Sequence, residues 1–436
     1  MTVREIALKL LLDFEDSEKY ANLALSSHLT DNLTPKEMGL LTSLFYTAVE
    51  HMITYDYYIG AITARSLDKI SSHTKAVLRL GLAQIFHIDS VPDFAAVNES
   101  VKLCKNGGER SLVNAALRTA VRLKDTPPMP NKDKNAARYY SVYYSLPLAT
   151  VKHFMTKLGE EESVKLFDAF SKRPDTTLTV NTLKSTPESL AEKLQNAGYN
   201  ATRASFSPVS VRVTGAFDPR SADGFSDGEF FVQDEASAIA ALTLDPIAGD
   251  LIIDVCSAPG GKSMLAAILS ADSGRLICCD LHESKLSLIE STKKRLGLKS
   301  VEVLMRDATT PDEALFGKAD RVICDVPCSG LGVIAKKPDL RYKDIAKSDT
   351  LPPLQLEILS ASAKYLKPGG TLVYSTCTLN DAENGDVVQK FLEQNPDFYA
   401  EDFSVGSLAS FGGMLTLYPH IHNTDGFFVA KIRKAK

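Results

Sequence analysis

Two cysteines and four aspartates stand where their side chains could do chemistry. Cys328 lies in Asp325-Val-Pro-Cys-Ser-Gly330 and Cys377 in Tyr374-Ser-Thr-Cys-Thr378, each just past a short apolar run. Four such runs in series end on a carboxylate, at Asp254, Asp280, Asp307 and Asp325. One aspartate at a strand end is ordinarily a turn former or a helix cap. Four in series on a parallel sheet converge on one crevice and favour a polar ligand there. After the first run the chain turns through Cys256-Ser-Ala-Pro-Gly-Gly-Lys262, then resumes helical spacing at Met264, Leu265, Ile268 and Leu269. Glycine in such a turn lets a ligand approach the backbone closely. Asp280 follows Asp254 by 26 residues, near the spacing at which an acid meets a ribose. Neither Gly-x-Gly-x-x-Gly nor Gly-x-x-x-x-Gly-Lys-Ser/Thr occurs, which disfavours a dinucleotide or a Walker phosphate site. A small nucleoside cofactor fits better.

Adjacent parallel strands would carry Cys328 and Cys377 to the same rim, beside the glycine turn and Asp325. A thiolate there has a natural use. Cytosine C5 is a poor nucleophile; a thiolate adding to C6 loads electron density on C5 and divides one hard methyl transfer into easier steps. Asp325 could hold N3 or the exocyclic amine of the adducted ring. Transfer to an exocyclic nitrogen needs no cysteine and typically shows Asn/Asp-Pro-Pro-Tyr/Phe where this chain has Asp325-Val-Pro-Cys328. Spacing alone leaves open which cysteine attacks. Cys104, Cys256, Cys278, Cys279 and Cys324 sit in apolar or helical contexts and read as packing.

The elements that must position these residues form the last part of a 436-residue chain, long enough for about three domains. No apolar stretch reaches the length of a membrane span, and the start reads as an amphipathic helix rather than a signal peptide. Seven cysteines, an odd number without zinc-ligand spacing, predict reduced thiols, a cytoplasmic protein and no metal. A net charge of −5 is no global nucleic-acid signature, so any RNA contact must be local. Residues 1–126 read as all-helical, with Asp31, Thr34 and Asn98 as candidate caps. Their last helices carry Lys102, Lys105, Arg110, Arg118, Arg122 and Lys124 against Glu109, a basic edge able to track phosphates. The proline-rich stretch 127–135 is a linker. Residues 136–228 read as a small α+β, RRM-like module in which Tyr139, Tyr140, Tyr143 and Tyr144 form a packing face. Residues 229–436 read as an α/β Rossmann-like core, its fifth strand introduced by Lys367-Pro-Gly-Gly370.

Asp254-Val-Cys-Ser-Ala-Pro-Gly-Gly-Lys262, Asp325-Val-Pro-Cys-Ser-Gly330 and Ser375-Thr-Cys-Thr378 resemble the three signatures of the Sun/Nop family of S-adenosylmethionine-dependent RNA cytosine-C5 methyltransferases. Tyr20-Ala-Asn-Leu23, Leu78-Arg-Leu-Gly81, the stretch from Val91 to Glu99 and Val113-Asn-Ala-Ala-Leu-Arg118 resemble the NusB-like RNA-binding domain. Their combination resembles the bacterial RsmB subgroup, whose substrate is 16S ribosomal RNA. The resemblance implies a mostly parallel seven-stranded sheet, a monomer without metal, Cys377 as nucleophile at C6, and Cys328 as the second cysteine, needed for product release. It implies a cofactor loop of Cys256, Ser257, Ala258, Pro259, Gly260, Gly261 and Lys262, with Asp280 on the ribose and Asp307 on the adenine of S-adenosylmethionine. Asp325 would face both cofactor amine and target base. Departures are Ser257 for the usual alanine and the absence of tryptophan. The basic stretch Lys336, Lys337, Arg341 and Lys343 is a candidate phosphate contact. Other readings are a non-catalytic RNA-binding or ribosome-assembly factor and a cytosine-C5 methyltransferase for another RNA.

Overall fold

The computed structural model describes residues 1–17, 33–343 and 349–436; the Tyr20-Ala-Asn-Leu23 stretch and the Asp31 cap lie outside them. Two compact units are formed, residues 1–171 with 334–346, and residues 172–333 with 347–436.

The first unit is helical: α1 (Val3–Ser17), α2 (Pro35–Glu50), α3 (Met52–Thr63), α4 (Ser72–His87), α5 (Asp93–Lys102) and α6 (Gly107–Arg122). Thr34 caps α2 reciprocally: its hydroxyl accepts from the Glu37 N–H, and the Glu37 carboxylate accepts from the Thr34 N–H at 2.9 Å. Asn98 is no cap, since it lies inside α5. Helix α4 buries Ala76 through Ile85 on every side, as a helix central to a bundle must. Helices α7 (Ala136–Tyr143) and α8 (Leu148–Ser171, two segments meeting at Gly159) belong to this unit. Hydrogen bonds across the sequence tie them in: Thr54 Oγ1 of α3 donates to the Val142 carbonyl at 2.5 Å, and Ile53 N–H to Ser145 Oγ at 3.1 Å. Tyr140 and Tyr144 are buried, in keeping with a packing face.

A short turn, Pro338–Tyr342, also packs in this unit. Arg341 is 2% exposed and donates through Nη1 to the carbonyls of Glu50 and Tyr144, at 2.9 and 3.2 Å. Tyr342 Oη donates to the Val49 carbonyl at 2.5 Å. The expected phosphate role therefore fails for Arg341, whose guanidinium is consumed inside the fold.

The second unit holds two main sheets. One is antiparallel, in the order β2 (Asn200–Arg203), β3 (Ser210–Thr214), β1 (Thr176–Val180), β4 (Phe230–Val232). Helix α9 (Pro187–Asn196) covers it through Leu190 and Leu194, packed with Leu178, Val211 and Phe230. The other places seven strands in line: β10 (Phe398–Ala400), β14 (Phe427–Lys434), β9 (Leu366–Thr376), β8 (Ala319–Asp325), β5 (Leu251–Asp254), β6 (Arg275–Asp280), β7 (Val301–Met305). Strand β13 (Met414–Leu417) pairs with β14, and β11 (Ser404–Val405) with β12 (Leu408–Ala409) forms a separate small hairpin. Strands β5 to β9 are mutually parallel, whereas β14 runs against β9. Apolar cores cover both faces, the condition for a parallel sheet to persist. Lys367-Pro-Gly-Gly370 does not precede β9 but lies within it, as an irregularity. Ala319 pairs with Leu366 and Arg321 with Thr371, and Gly369 takes φ 75°.

Candidate active site

Chain order and spatial order part company at β5. From it the chain proceeds to β6 on one side, while β8 lies on the other. Such a switch point opens a crevice at the carboxyl ends of the strands. Asp254 pairs with Cys278 and Ile323, and Asp325 with Ser375. The acids at the ends of β5, β6 and β8 and the loop after β9 therefore reach the same rim.

The loop after β5 is held by its own backbone. Ser257 N–H donates to the Cys279 carbonyl at 2.7 Å and Gly260 N–H to the Ser257 carbonyl at 2.6 Å. Ser257 Oγ donates to the Asp254 carbonyl at 3.0 Å, so a serine is held in this turn. Gly260 sits at φ 107°, a conformation L side chains avoid. Helix α10 (Glu235–Thr243) runs beside α11 (Gly261–Leu269), the helix that this turn opens. Asp280 is buried; its Oδ2 accepts from Ala258 N–H at 3.3 Å and its Oδ1 from His282 N–H at 3.1 Å. Asp307, two residues past β7, is exposed and accepts from the Thr309 N–H and hydroxyl, which lower its carboxyl below the usual range.

Does this cradle suit S-adenosylmethionine? Gln233 lies against it, and a Cβ on Gly261 would come within 3.2 Å of the Gln233 amide nitrogen. Gln233 is buried, and its Oε1 has no hydrogen-bond partner among the described residues. An orphaned buried acceptor costs about 1–3 kcal/mol, which a ligand ammonium would relieve. With Asp280 keeping lone pairs for a ribose and the glycine turn leaving space, the residues fit the cofactor. Gln233 was not legible as a ligand residue, because only its orphaned oxygen marks it.

The candidate catalytic side chains form one cluster. Cys328 Sγ and Cys377 Sγ stand 3.2 Å apart. Lys262 Nζ donates to Asp325 Oδ2 at 2.7 Å, and Ser375 Oγ to Asp325 Oδ1 at 2.6 Å. Burial works to lower the Lys262 pKa, but Asp325, Cys377 and Asp254 together raise it, so the ammonium persists. It also lies 5.0 Å over the Phe427 ring. The hydrogen bond to Cys377, then burial, push the Cys328 thiol well above its usual range. Cys104, Cys278, Cys279 and Cys324 are buried packing: burial raises Cys104 to about 11 and both Cys279 and Cys324 to about 12.

Two further features hold the cysteine loops. Fully buried Glu383 accepts from Ser329 N–H (2.8 Å), Ser329 Oγ (2.5 Å), Asn380 Nδ2 (3.1 Å) and Gln355 Nε2 (3.1 Å). Gly332 N–H donates to the Cys377 carbonyl at 2.9 Å, and Gly426 N–H to the Gly332 carbonyl at 2.8 Å. A Cβ on Gly332 would collide with the Gly426 carbonyl. Neither Glu383 nor Gly332 stood out in the sequence, since all of these partners but Asn380 lie 28 to 94 positions away.

Asp254 gives a pH test. Burial, opposed by a hydrogen bond from Ser263, raises its carboxyl from 3.8 to about 7. The folded state thus binds this proton more tightly than the unfolded chain. Its stabilisation is complete below the unfolded value and is lost as pH rises through about 7. Asp254→Asn should therefore flatten the fall of Tm between pH 4 and 7; equal slopes in both proteins would rule this out.

Among the described residues no helix is long and apolar enough to cross a membrane, and no group of three His, Cys, Asp or Glu is placed to hold a metal ion. Three family models match successive parts of the chain: the NusB family over residues 1–122, an RsmF/B-like ferredoxin-like domain over 147–219, and the 16S rRNA methyltransferase RsmB/F family over 241–433. The crystal structure of PH0851 superposes with a TM-score of 0.80 at 26% identity, covering 100% of this chain and 99% of that one. A probable ribosomal RNA small subunit methyltransferase B of Bacillus subtilis is 34% identical, over 99% of each chain. A protein of that same description in Synechocystis is 34% identical over 100% of both chains. With all three domain types matched in this order and relatives 34% identical over its whole length, the chain belongs to the family of ribosomal RNA small subunit methyltransferases B.

Proposed function

We propose that this protein transfers a methyl group from S-adenosylmethionine to C5 of a cytosine in 16S ribosomal RNA, through a covalent cysteine–C6 adduct. The observation that carries the reading is the pair of sulfurs 3.2 Å apart at the strand rim beside Asp325. A nitrogen methyltransferase has no use for two thiols there.

Cys377 is the nucleophile. Its thiolate adds to C6 of a cytosine splayed from its stack, and the C5–C6 electron pair moves to C5. Lys262, held cationic by Asp325, stabilises the nearby thiolate. Asp325 takes the polar edge of the base and, in the adduct, accepts a hydrogen bond from the protonated ring. S-adenosylmethionine, bound by Cys256 to Lys262 with Asp280 and Asp307, supplies the electrophilic methyl. Two thiolates at 3.2 Å repel, so Cys328 keeps its proton whenever Cys377 carries charge. Once Cys377 is bonded to C6 and no longer charged, Cys328 gives up its own proton to solvent and takes the C5 proton, as base or relay, and Cys377 leaves as a thiolate while C5–C6 unsaturation is restored.

Bisulfite mapping of 16S RNA treated with purified protein and cofactor tests the reading. One new protected cytosine is expected. RNA binding without any protected position would instead favour the non-catalytic assembly factor, and protection confined to another RNA would move the substrate.

Glu383 enters as a positioning residue. Glu383→Gln sets an amide N–H against the donors of Ser329 and Gln355, loosening the loop that holds Cys328. A displacement of about 1 Å costs on the order of 10²-fold in rate. Turnover should fall by that order with adduct accumulating and cofactor affinity unchanged. A matching loss of cofactor affinity would point to general unfolding instead.

A further inference from the structure

We infer that the groove between α5 and α6 is a single-stranded RNA subsite, taking a base on Phe94 and backbone phosphates on Arg118 and Arg122. Phe94 is 72% exposed, so its ring contributes little to the fold. Phe94 and Asn98 lie one turn apart on α5, as do Arg118 and Arg122 on α6. All four line one cavity of about 410 Å³. Its single acid, Asp93, is engaged by Lys124 Nζ at 3.0 Å. The two arginines have neutral partners: Arg118 Nε donates to Asn114 Oδ1 at 3.0 Å, and Arg122 Nη2 to Thr119 Oγ1 at 2.8 Å. Among the described residues neither guanidinium meets a carboxylate. The groove is therefore cationic on a chain of net charge −5.

An aromatic face, an amide and two guanidiniums in one groove match the three parts of a nucleotide. The ring stacks on a base, the Asn98 amide reads its edge, and the arginines hold phosphates. A duplex hides the faces of its bases, so the occupant is unpaired. An acidic protein segment would use the arginines but leaves the bare ring unexplained. The subsite rests on the reading that RNA is the substrate, and extends it to a second place on the molecule.

The test uses the full-length protein and a labelled 16-nucleotide oligouridylate, followed by fluorescence anisotropy across a salt series. Phe94→Ala should weaken binding about tenfold with an unchanged salt slope, as loss of one stacked base does. Arg118→Gln with Arg122→Gln should weaken binding and reduce the slope of log K against log salt by about 1.4, the share of two phosphates on a single strand. All three side chains are exposed, and an unchanged melting temperature verifies folding. Wild-type affinity in both variants overturns the subsite. So does a loss of poly-glutamate binding with oligouridylate binding intact, which would assign the groove to an acidic protein. If the variants lose the oligomer while the wild type methylates no RNA, the methyltransferase reading falls and the subsite stands. If methylation is normal and oligomer binding unaltered, only the subsite falls.

Discussion

Cys328→Ala should convert the protein into a trap for its own substrate. Incubated with 16S RNA and cofactor, the variant should give a protein–RNA species that survives a denaturing gel, while turnover falls by roughly 10²-fold or more. The argument is one of sequence in time. Cys377 is untouched and still adds to C6. What is lost is the thiol 3.2 Å from it, the group best placed to serve the C5 proton after methylation. Without that service the adduct cannot eliminate, and the covalent intermediate accumulates. A variant that loses turnover but gives no slow-migrating species would show that Cys328 acts before the adduct forms.

Removing the other sulfur should have the opposite signature. Cys377→Ala should lose at least about 10³-fold in rate, since no second nucleophile replaces it, and should give no covalent species. Cofactor affinity, measured by calorimetry, should stay within about twofold, because the cradle of Gly260 and Asp280 does not depend on that thiol. The Cys328→Ala/Cys377→Ala double variant should be equally silent on the gel, because the trap requires the attack. Undiminished turnover in Cys377→Ala would remove the nucleophile assignment. Adduct in Cys377→Ala but none in Cys328→Ala would exchange the two roles.

Much of this site was readable because its signals are local. A short apolar run ending on aspartate, a glycine turn and a return to helical spacing occupy about a dozen adjacent residues. The geometry of parallel strands then carries their ends to one rim without further information. The basic edge that contains Arg118 and Arg122 was visible for the same reason, since residues four apart on a helix share a face.

Other readings depended on partners distant along the chain. Arg341 looked like a free cation in a basic stretch, yet the Glu50 and Tyr144 carbonyls take it up. That α7 and α8 pack in the first compact unit rests on Thr54 and Ile53, which bond to Val142 and Ser145. Glu383 was one acid among many until the fold buried it under four donors.

By itself, then, the amino-acid order determined the parallel core, the cofactor turn and the pair of candidate sulfurs, because periodicity and turn chemistry act over a few neighbours. Only the tertiary structure decided how close those sulfurs come, that Glu383 and Gly332 hold their loops, and that the buried Gln233 oxygen has no partner among the described residues. Burial and hydrogen-bond satisfaction are properties of surroundings assembled from remote segments, and no local pattern encodes them.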